Sequence, residues 1–170
     1  DMSEKLKKRL NSISFVEIKK KNHDVDEFAS TRSGRKMFET LKEVLDKAKQ
    51  EHAVLVFMCR KAYWLYRIYR AYRTELGEWD SQYDENILFL TNRYVLKESL
   101  EFIQERKIIV FDDTINKGNS MLNLYKTLLK KGVVQKDNIE FIVAFSSMTK
   151  EQLGKAWGDK KEASSEAFLS

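Results

Sequence analysis

Two adjacent acidic residues, Asp112 and Asp113, follow directly on the apolar run 108–111, and residues 116–120 then supply two asparagines, a glycine and a serine. Carboxylates can accept hydrogen bonds from hydroxyl groups or bind a cation. A glycine-containing loop that leads into a helix is instead typical of an anion site, because backbone N–H groups and the helix dipole favour negative charge. A ligand that suits both parts carries phosphate at one end and hydroxyls or a metal at the other, as a phosphorylated sugar does.

The elements that would position these residues alternate along the chain. Short, continuous apolar runs are typical of strands buried on both faces, and they lie at 53–58, 86–92, 107–111 and 139–147. Apolar residues at helical spacing predict helices at 36–50, 61–77, 94–105 and 120–132. This order predicts an α/β fold with a mostly parallel central sheet flanked by helices. Since ligands bind beyond the carboxyl ends of such strands, Asp112 and Asp113 stand where a site is expected.

The order of residues 108–120 resembles the ribose-phosphate binding loop of the type I phosphoribosyltransferases, which has four apolar residues, two acidic residues and a short loop around glycine ending in threonine or serine. The resemblance covers about residues 35–147 and implies a Rossmann-like fold, with a small hood over the site. It implies that Asp112 and Asp113 address the ribose hydroxyls of phosphoribosyl pyrophosphate and hold Mg²⁺, directly or indirectly. It also implies a set of residues for the 5′-phosphate: Thr114, Asn116, Lys117, Gly118, Asn119 and Ser120.

Two positions depart from the family pattern. Lys117 stands where threonine is usual before the glycine, and Asn119 stands where a small residue is common after it. Lys117 either adds positive charge to the phosphate site or marks a changed ligand.

A second loop of the family contacts pyrophosphate, and by resemblance this role falls to Arg60 and Lys61, directly after the first predicted strand. Cationic groups aimed at the leaving pyrophosphate would stabilise the charge that it gains as the glycosidic bond breaks. The alternative is that both residues begin a helix and face water, although the helix dipole disfavours basic residues there.

Residues for the acceptor are marked more weakly. Phe145 and Ser146, near the end of the fourth predicted strand, are the candidates for contacting a nucleobase-like ring, with core packing as the alternative for Phe145. Segment 77–86 is predicted to be the flexible loop of the site. Asn92 and Arg93 follow the second strand, where Arg93 would either reach an anionic ligand or balance the two acids.

Other chemistry-bearing residues have simpler interpretations. Stretch 63–73 interleaves tyrosines and arginines, which suits a nucleic-acid surface or, the favoured interpretation, a helix packed on the sheet with its arginines directed outward. His23 and His52 lack metal-ligand spacing, and Cys59 lacks the histidine pattern of a thiol nucleophile.

Composition is that of a globular protein, with 42% hydrophobic and 34% charged residues, and the net charge of +5 favours anionic partners. No apolar run approaches the roughly 18 residues of a membrane span. A single cysteine fits a reducing compartment, so we expect a cytoplasmic protein with no membrane partner. We divide the chain into a basic arm or hood element (1–35), an α/β domain (36–150) and a tail (151–170). A homodimer or a place in a larger protein is compatible with this division.

These patterns predict transfer of ribose 5-phosphate from phosphoribosyl pyrophosphate to a nitrogen of a nucleobase-like acceptor, with Mg²⁺ as cofactor and release of pyrophosphate. The alternative is a non-catalytic module of the same fold that binds nucleotide or nucleic acid, in which the basic arm and Lys117 would contact the partner. A haloacid dehalogenase-type phosphohydrolase is disfavoured, because its chemistry needs two aspartates separated by one residue, whereas Asp112 and Asp113 are adjacent.

Overall fold

The computed structural model describes residues 30–58, 61–90, 103, 105–115, 119–132, 138–146, 151–152 and 155, with the backbone alone described at 114, 115, 119, 120 and 146. Within these ranges the chain forms, in order, helix α1 (Arg32–Glu51), strand β1 (Val54–Met58), helix α2 (Lys61–Glu75), a 3-10 helix (Ser81–Asn86), strand β2 (Ile87–Leu90), strand β3 (Ile108–Ile115), helix α3 (Asn119–Lys130) and strand β4 (Ile139–Ser146). The predicted strands and the predicted helices at 36–50, 61–77 and 120–132 are therefore confirmed, while the helix predicted at 94–105 lies outside the described residues except at 103 and 105. None of the helices in these ranges combines the length and apolar character needed to cross a membrane.

Helix α1 begins at Arg32, earlier than the predicted start at residue 36. Its first turn is capped by Thr31, whose side-chain oxygen accepts a hydrogen bond of 3.0 Å from the Gly34 N–H. At the other end, His52 adopts a left-handed conformation with φ of 52°, and its N–H closes the last turn. The face between these caps buries Leu41, Val44 and Leu45.

The strands form a sheet in the order β2-β1-β3-β4, and every pairing among them is parallel. The chain passes from β1 to β2 on one side and then crosses to β3 on the other side of β1. In an open parallel sheet this reversal of direction opens a crevice at the carboxyl ends of the two central strands. The sheet and its helices confirm an α/β, Rossmann-like fold, and its strand order makes the carboxyl ends of β1 and β3 the place where such a crevice is expected.

Helices cover both faces of the sheet, so each strand alternates between two hydrophobic clusters. Val56 and Val110 face one cluster, which includes Met121 and other apolar residues of α3. Phe57 and Phe111 face the other, which includes the buried sides of α1 and α2. Burial on both faces is the physical reason that β1 is apolar at every position.

Strand β3 is longer than predicted: it continues through both aspartates to Ile115. Its pairing with β1 ends at Phe57 opposite Phe111, whereas its pairing with β4 continues to Ile115 opposite Ser146. The prediction that Asp112 and Asp113 follow the strand was therefore wrong. They lie within it, along the stretch that pairs with β4 beyond the last described pair with β1.

The predicted flexible loop at 77–86 is instead a turn at Gly77 followed by the 3-10 helix. Asp84 anchors this helix to α2: its carboxylate accepts from the Tyr66 hydroxyl at 2.6 Å and from Arg70 Nη2 at 2.9 Å. Trp79 and Tyr83 pack against the cluster of α1 and α2. The 3-10 helix Ser81–Asn86 thus forms a clasp that is tied to α2, and the prediction of a loop throughout 77–86 was wrong.

Candidate functional site

The candidate site lies at the carboxyl end of β3, where two acidic side chains meet the start of α2. Asp113 is 8% exposed and Asp112 is half-buried. Lys61, the exposed first residue of α2, acts electrostatically on the Asp112 carboxylate. The sheet order therefore brings together the predicted acid pair and one member of the predicted basic pair. The other member, Arg60, lies outside the described residues.

A group of aromatic rings beneath the acids fixes this end of the sheet. Phe111, which directly precedes Asp112, meets Phe57 of β1 edge to face at a centroid distance of 5.5 Å. Phe57 in turn contacts Tyr66 of α2 at 4.8 Å. Such contacts between buried rings restrict both backbone and side chains. The position of the two acids relative to α2 is therefore set by packed core.

The two carboxyl groups interact directly. Asp112 Oδ1 accepts a hydrogen bond of 2.9 Å from the Asp113 N–H. Burial, a side-chain hydrogen bond with Asp113 and the charge of Asp113 raise the pKa of Asp112 to about 8, while the Asp113 N–H and Lys61 oppose this rise. The pair therefore holds a proton more readily than a single exposed acid does, and an acid pair that shares a proton offers both a hydroxyl donor and oxygen acceptors. That combination suits neighbouring hydroxyl groups of a ligand.

The pair also fits a magnesium ion on chemical grounds. Mg²⁺ prefers oxygen ligands and is commonly held by one or two protein carboxylates together with phosphates of the substrate. A cation would favour the charged forms of both acids and so oppose the burial and the neighbouring charge that raise the pKa of Asp112. In the part of the chain that the structure describes, no group of three or more candidate ligand residues is found, so the fit depends on oxygens from a ligand or water.

The loop predicted to bind phosphate connects β3 directly to α3. Strand β3 ends at Ile115 and α3 begins at Asn119, so residues 116–118 join the two elements. Thr114 belongs to β3, and Asn119 and Ser120 form the start of α3. The predicted strand before the loop and helix after it are thus confirmed, while the loop residues Asn116, Lys117 and Gly118 lie outside the described residues.

The candidates for the acceptor are placed on β4, next to β3. Phe145 pairs with Thr114 and Ser146 pairs with Ile115 in the register of the sheet. Phe145 is half-buried and packs against the cluster of α1 and α2, as its core-packing alternative requires. Asn92 and Arg93 lie outside the described residues.

Helix α2 differs from its predicted form at one arginine. Its tyrosines 63, 66 and 69 are buried as the packed-helix interpretation requires, but Arg67 is 5% exposed and does not reach outward into water. Its guanidinium Cζ lies 4.9 Å from the Trp64 ring, a contact that contributes about 0.5–2 kcal/mol. That is less than the cost of burying an unpaired charge, so the position of Arg67 calls for a further explanation.

The sequence pattern did not predict that Arg67 would be buried. Arg67 follows Tyr63 by one helical turn, and a turn separates neighbours on one face of a helix. That spacing places Arg67 beside the buried stripe, but arginine at the margin of a stripe is usually solvated.

Comparison of the chain with protein-family models, with curated proteins and with solved structures found no match.

Proposed function

We propose that this protein binds phosphoribosyl pyrophosphate at the carboxyl end of β3 and transfers ribose 5-phosphate to a nitrogen of a nucleobase-like acceptor. The observation that carries the proposal is the acid pair Asp112 and Asp113 beside Lys61, at the end of the sheet where the chain reverses direction between β1 and β3. Such a ligand requires acidic groups that bind its hydroxyls and a cationic group that binds its phosphate oxygens.

The arrangement of the helices supports a ligand with phosphates at both ends. Helices α2 and α3 begin at the same edge of the sheet but pack against opposite faces. Their first turns have N–H groups without partners inside the helix, and these groups favour anions. A ligand laid across the end of β3 would have its ring at the acids, its pyrophosphate toward Lys61 and its 5′-phosphate toward the start of α3.

In the proposed reaction the bond between ribose C1 and the pyrophosphate oxygen breaks, and the acceptor nitrogen forms a new bond to C1. Positive charge develops on the ribose as that bond breaks, and negative charge develops on pyrophosphate. Asp112 and Asp113 would orient the ribose hydroxyls, and Lys61 would stabilise the departing anion. Mg²⁺ bound through the two acids and the ligand would supply further neutralisation of phosphate charge.

Calorimetric titration of the protein with phosphoribosyl pyrophosphate, with and without Mg²⁺, tests the proposal. We expect one ligand per chain and tighter binding when Mg²⁺ is present. Ribose 5-phosphate and pyrophosphate, titrated separately, should each bind more weakly than the whole molecule. Absence of binding under both conditions would reject the proposal.

A panel of nitrogen acceptors with a pyrophosphate-release assay then separates enzyme from binding module. Release that depends on one acceptor identifies a transferase and its substrate. Tight, Mg²⁺-dependent binding without release for any acceptor would retain the site but reject the transfer reaction.

A further inference from the structure

Helix α2 carries two buried polar groups that the candidate site does not use. Tyr63 and Arg67 are one helical turn apart and are 2% and 5% exposed. The Tyr63 hydroxyl and Arg67 Nε are both buried, and neither has a hydrogen-bond partner in the part of the chain that the structure describes. Both side chains contact the same indole, since the Tyr63 ring lies 5.4 Å and Arg67 Cζ 4.9 Å from the Trp64 ring.

The other arginines of α2 show what Arg67 lacks. Arg70 pairs with Asp84 at 2.9 Å, and Arg73 pairs with Glu78 at 3.3 Å. Among the described residues Arg67 has no carboxylate within ion-pair distance, although it is the most buried of the three. A guanidinium does not lose its proton in a protein, so it cannot become neutral to avoid the cost of burial. A negatively charged ligand would lower that cost.

We propose that Tyr63, Trp64 and Arg67 form a binding site for an oxyanion, a phosphate or carboxylate group of a small ligand, separate from the acid pair on β3. The guanidinium and the phenol are both able to donate hydrogen bonds, and the planar guanidinium fork matches two oxygens of one anion. Trp64 is 45% exposed, so its indole forms the solvent side of this site. The inference depends on α2 alone and stands whether or not the protein binds a sugar pyrophosphate.

Thermal unfolding in inorganic phosphate or in acetate, against chloride at equal ionic strength, tests the site. We expect at least one of the two anions to raise the melting temperature and to change the tryptophan fluorescence of the wild-type protein. A response to phosphate alone or to acetate alone supports the site and identifies the group that it prefers. No response to either anion would overturn the proposal.

Three variants locate the response. Arg67→Met should weaken anion binding by about a hundredfold, because it removes the charge and its donors. Tyr63→Phe, which deletes one hydroxyl donor, should weaken binding by about fivefold. Arg73→Met is the matched control: it removes from the same helix a cation that pairs with Glu78, and it should leave the response unchanged. If Arg73→Met abolishes the response and Arg67→Met does not, the anion does not bind at Arg67 and this proposal is wrong.

Stability in chloride alone distinguishes a ligand site from a merely structural arginine. An apolar side chain of similar length removes an unbalanced buried charge, so Arg67→Met should be at least as stable as the wild type when no oxyanion is present. A lower melting temperature of Arg67→Met in chloride, together with an undiminished shift in phosphate, would overturn the assignment.

Discussion

Asp112 and Asp113 show how strongly one residue's chemistry depends on its neighbour. Separately, each would be an ordinary acid at the end of a sheet. On β3, burial of Asp112 together with its hydrogen bond to Asp113 and the charge of Asp113 raises the pKa of Asp112 to about 8. The pair therefore changes its charge near neutral pH, and this change should be visible in both stability and cation binding.

Replacing Asp112 by asparagine should change how stability depends on pH. The folded protein holds the Asp112 proton more tightly than the unfolded chain does, so this group lowers stability as pH rises from about 4 to about 8. Asp112→Asn removes this loss of stability at high pH. We therefore expect the free energy of unfolding of the variant at pH 8 to exceed that of the wild type by about 1–2 kcal/mol, since Asp112 is only partly shielded from solvent. Urea denaturation at pH 5 and pH 8 measures the difference.

Glu51→Gln is the control for this comparison. Glu51 is exposed and pairs with Lys107 at 2.8 Å, at the amino end of β3. The difference in free energy of unfolding between Glu51→Gln and the wild type should be the same at pH 5 and at pH 8. If the free energies of unfolding of Asp112→Asn and the wild type change by the same amount between pH 5 and pH 8, the raised pKa of Asp112 is contradicted.

At the scale of elements, the clasp formed by the 3-10 helix is the clearest feature outside the site. Tyr66 donates to Asp84, and burial together with Asp84 holds the pKa of Tyr66 well above its usual range, so the phenol remains a donor. Arg70 contributes Nε and Nη2 to the same carboxylate. One carboxylate thus ties the 3-10 helix to α2.

Asp84→Asn should destabilise the fold by about 2–3 kcal/mol, because it leaves the half-buried Arg70 without its counter-charge. Chemical denaturation gives the free energy of unfolding directly. Lys42→Ala is a suitable control, since it breaks an exposed ion pair with Asp46 one turn along α1 and should cost under about 0.5 kcal/mol. Equal losses for the two variants would mean that the clasp contributes no more than a surface pair.

The left-handed residue that ends α1 gives a second test at this scale. His52→Gly should raise the free energy of unfolding by about 0.5–1 kcal/mol, because glycine adopts a φ of 52° without steric strain. Thermal unfolding is the measurement. His52→Ala keeps a Cβ atom at this φ and should bring no gain, so a similar gain in both variants would exclude relief of backbone strain as its cause.

Local sequence predicts these elements well where a short pattern determines them. The continuous apolar run of β1 follows from burial on both faces of the sheet, and the helical spacing of apolar residues in α3 follows from burial of one face of that helix, so both elements were predicted correctly. The continuation of β3 could not be predicted, since it depends on pairing with β4, about thirty residues later in the chain.

The site was predictable in part for the same reason. The acid pair and Lys61 could be assigned to one sheet end, because strand ends and helix starts follow from local patterns. The clasp and the burial of Arg67 could not, since both depend on how α2 packs against other segments. Polar residues such as Asp84 and Arg67 carry no periodic signal that distinguishes a buried contact from a solvated one.

At the scale of the whole molecule, the sheet and its two clusters explain why a site should form where it does. The strand order reverses between β1 and β3, which is where an open parallel sheet is expected to form a crevice, and the acids of β3 lie at that end of the sheet. Helices pack against both faces of the sheet. A ligand with anionic ends and a hydroxyl-bearing centre would contact all three parts at once.

The most direct test of this account is calorimetric titration of Mg²⁺ and phosphoribosyl pyrophosphate into the wild type, Asp113→Asn and Glu51→Gln, after thermal unfolding has confirmed that each protein is folded. Asp113→Asn removes an acceptor and a charge at the proposed ring position, so we predict affinity at least about tenfold weaker than that of the wild type. Glu51→Gln should bind as the wild type does. Equal affinity in all three folded proteins would contradict the central claim that the acids of β3 bind the sugar.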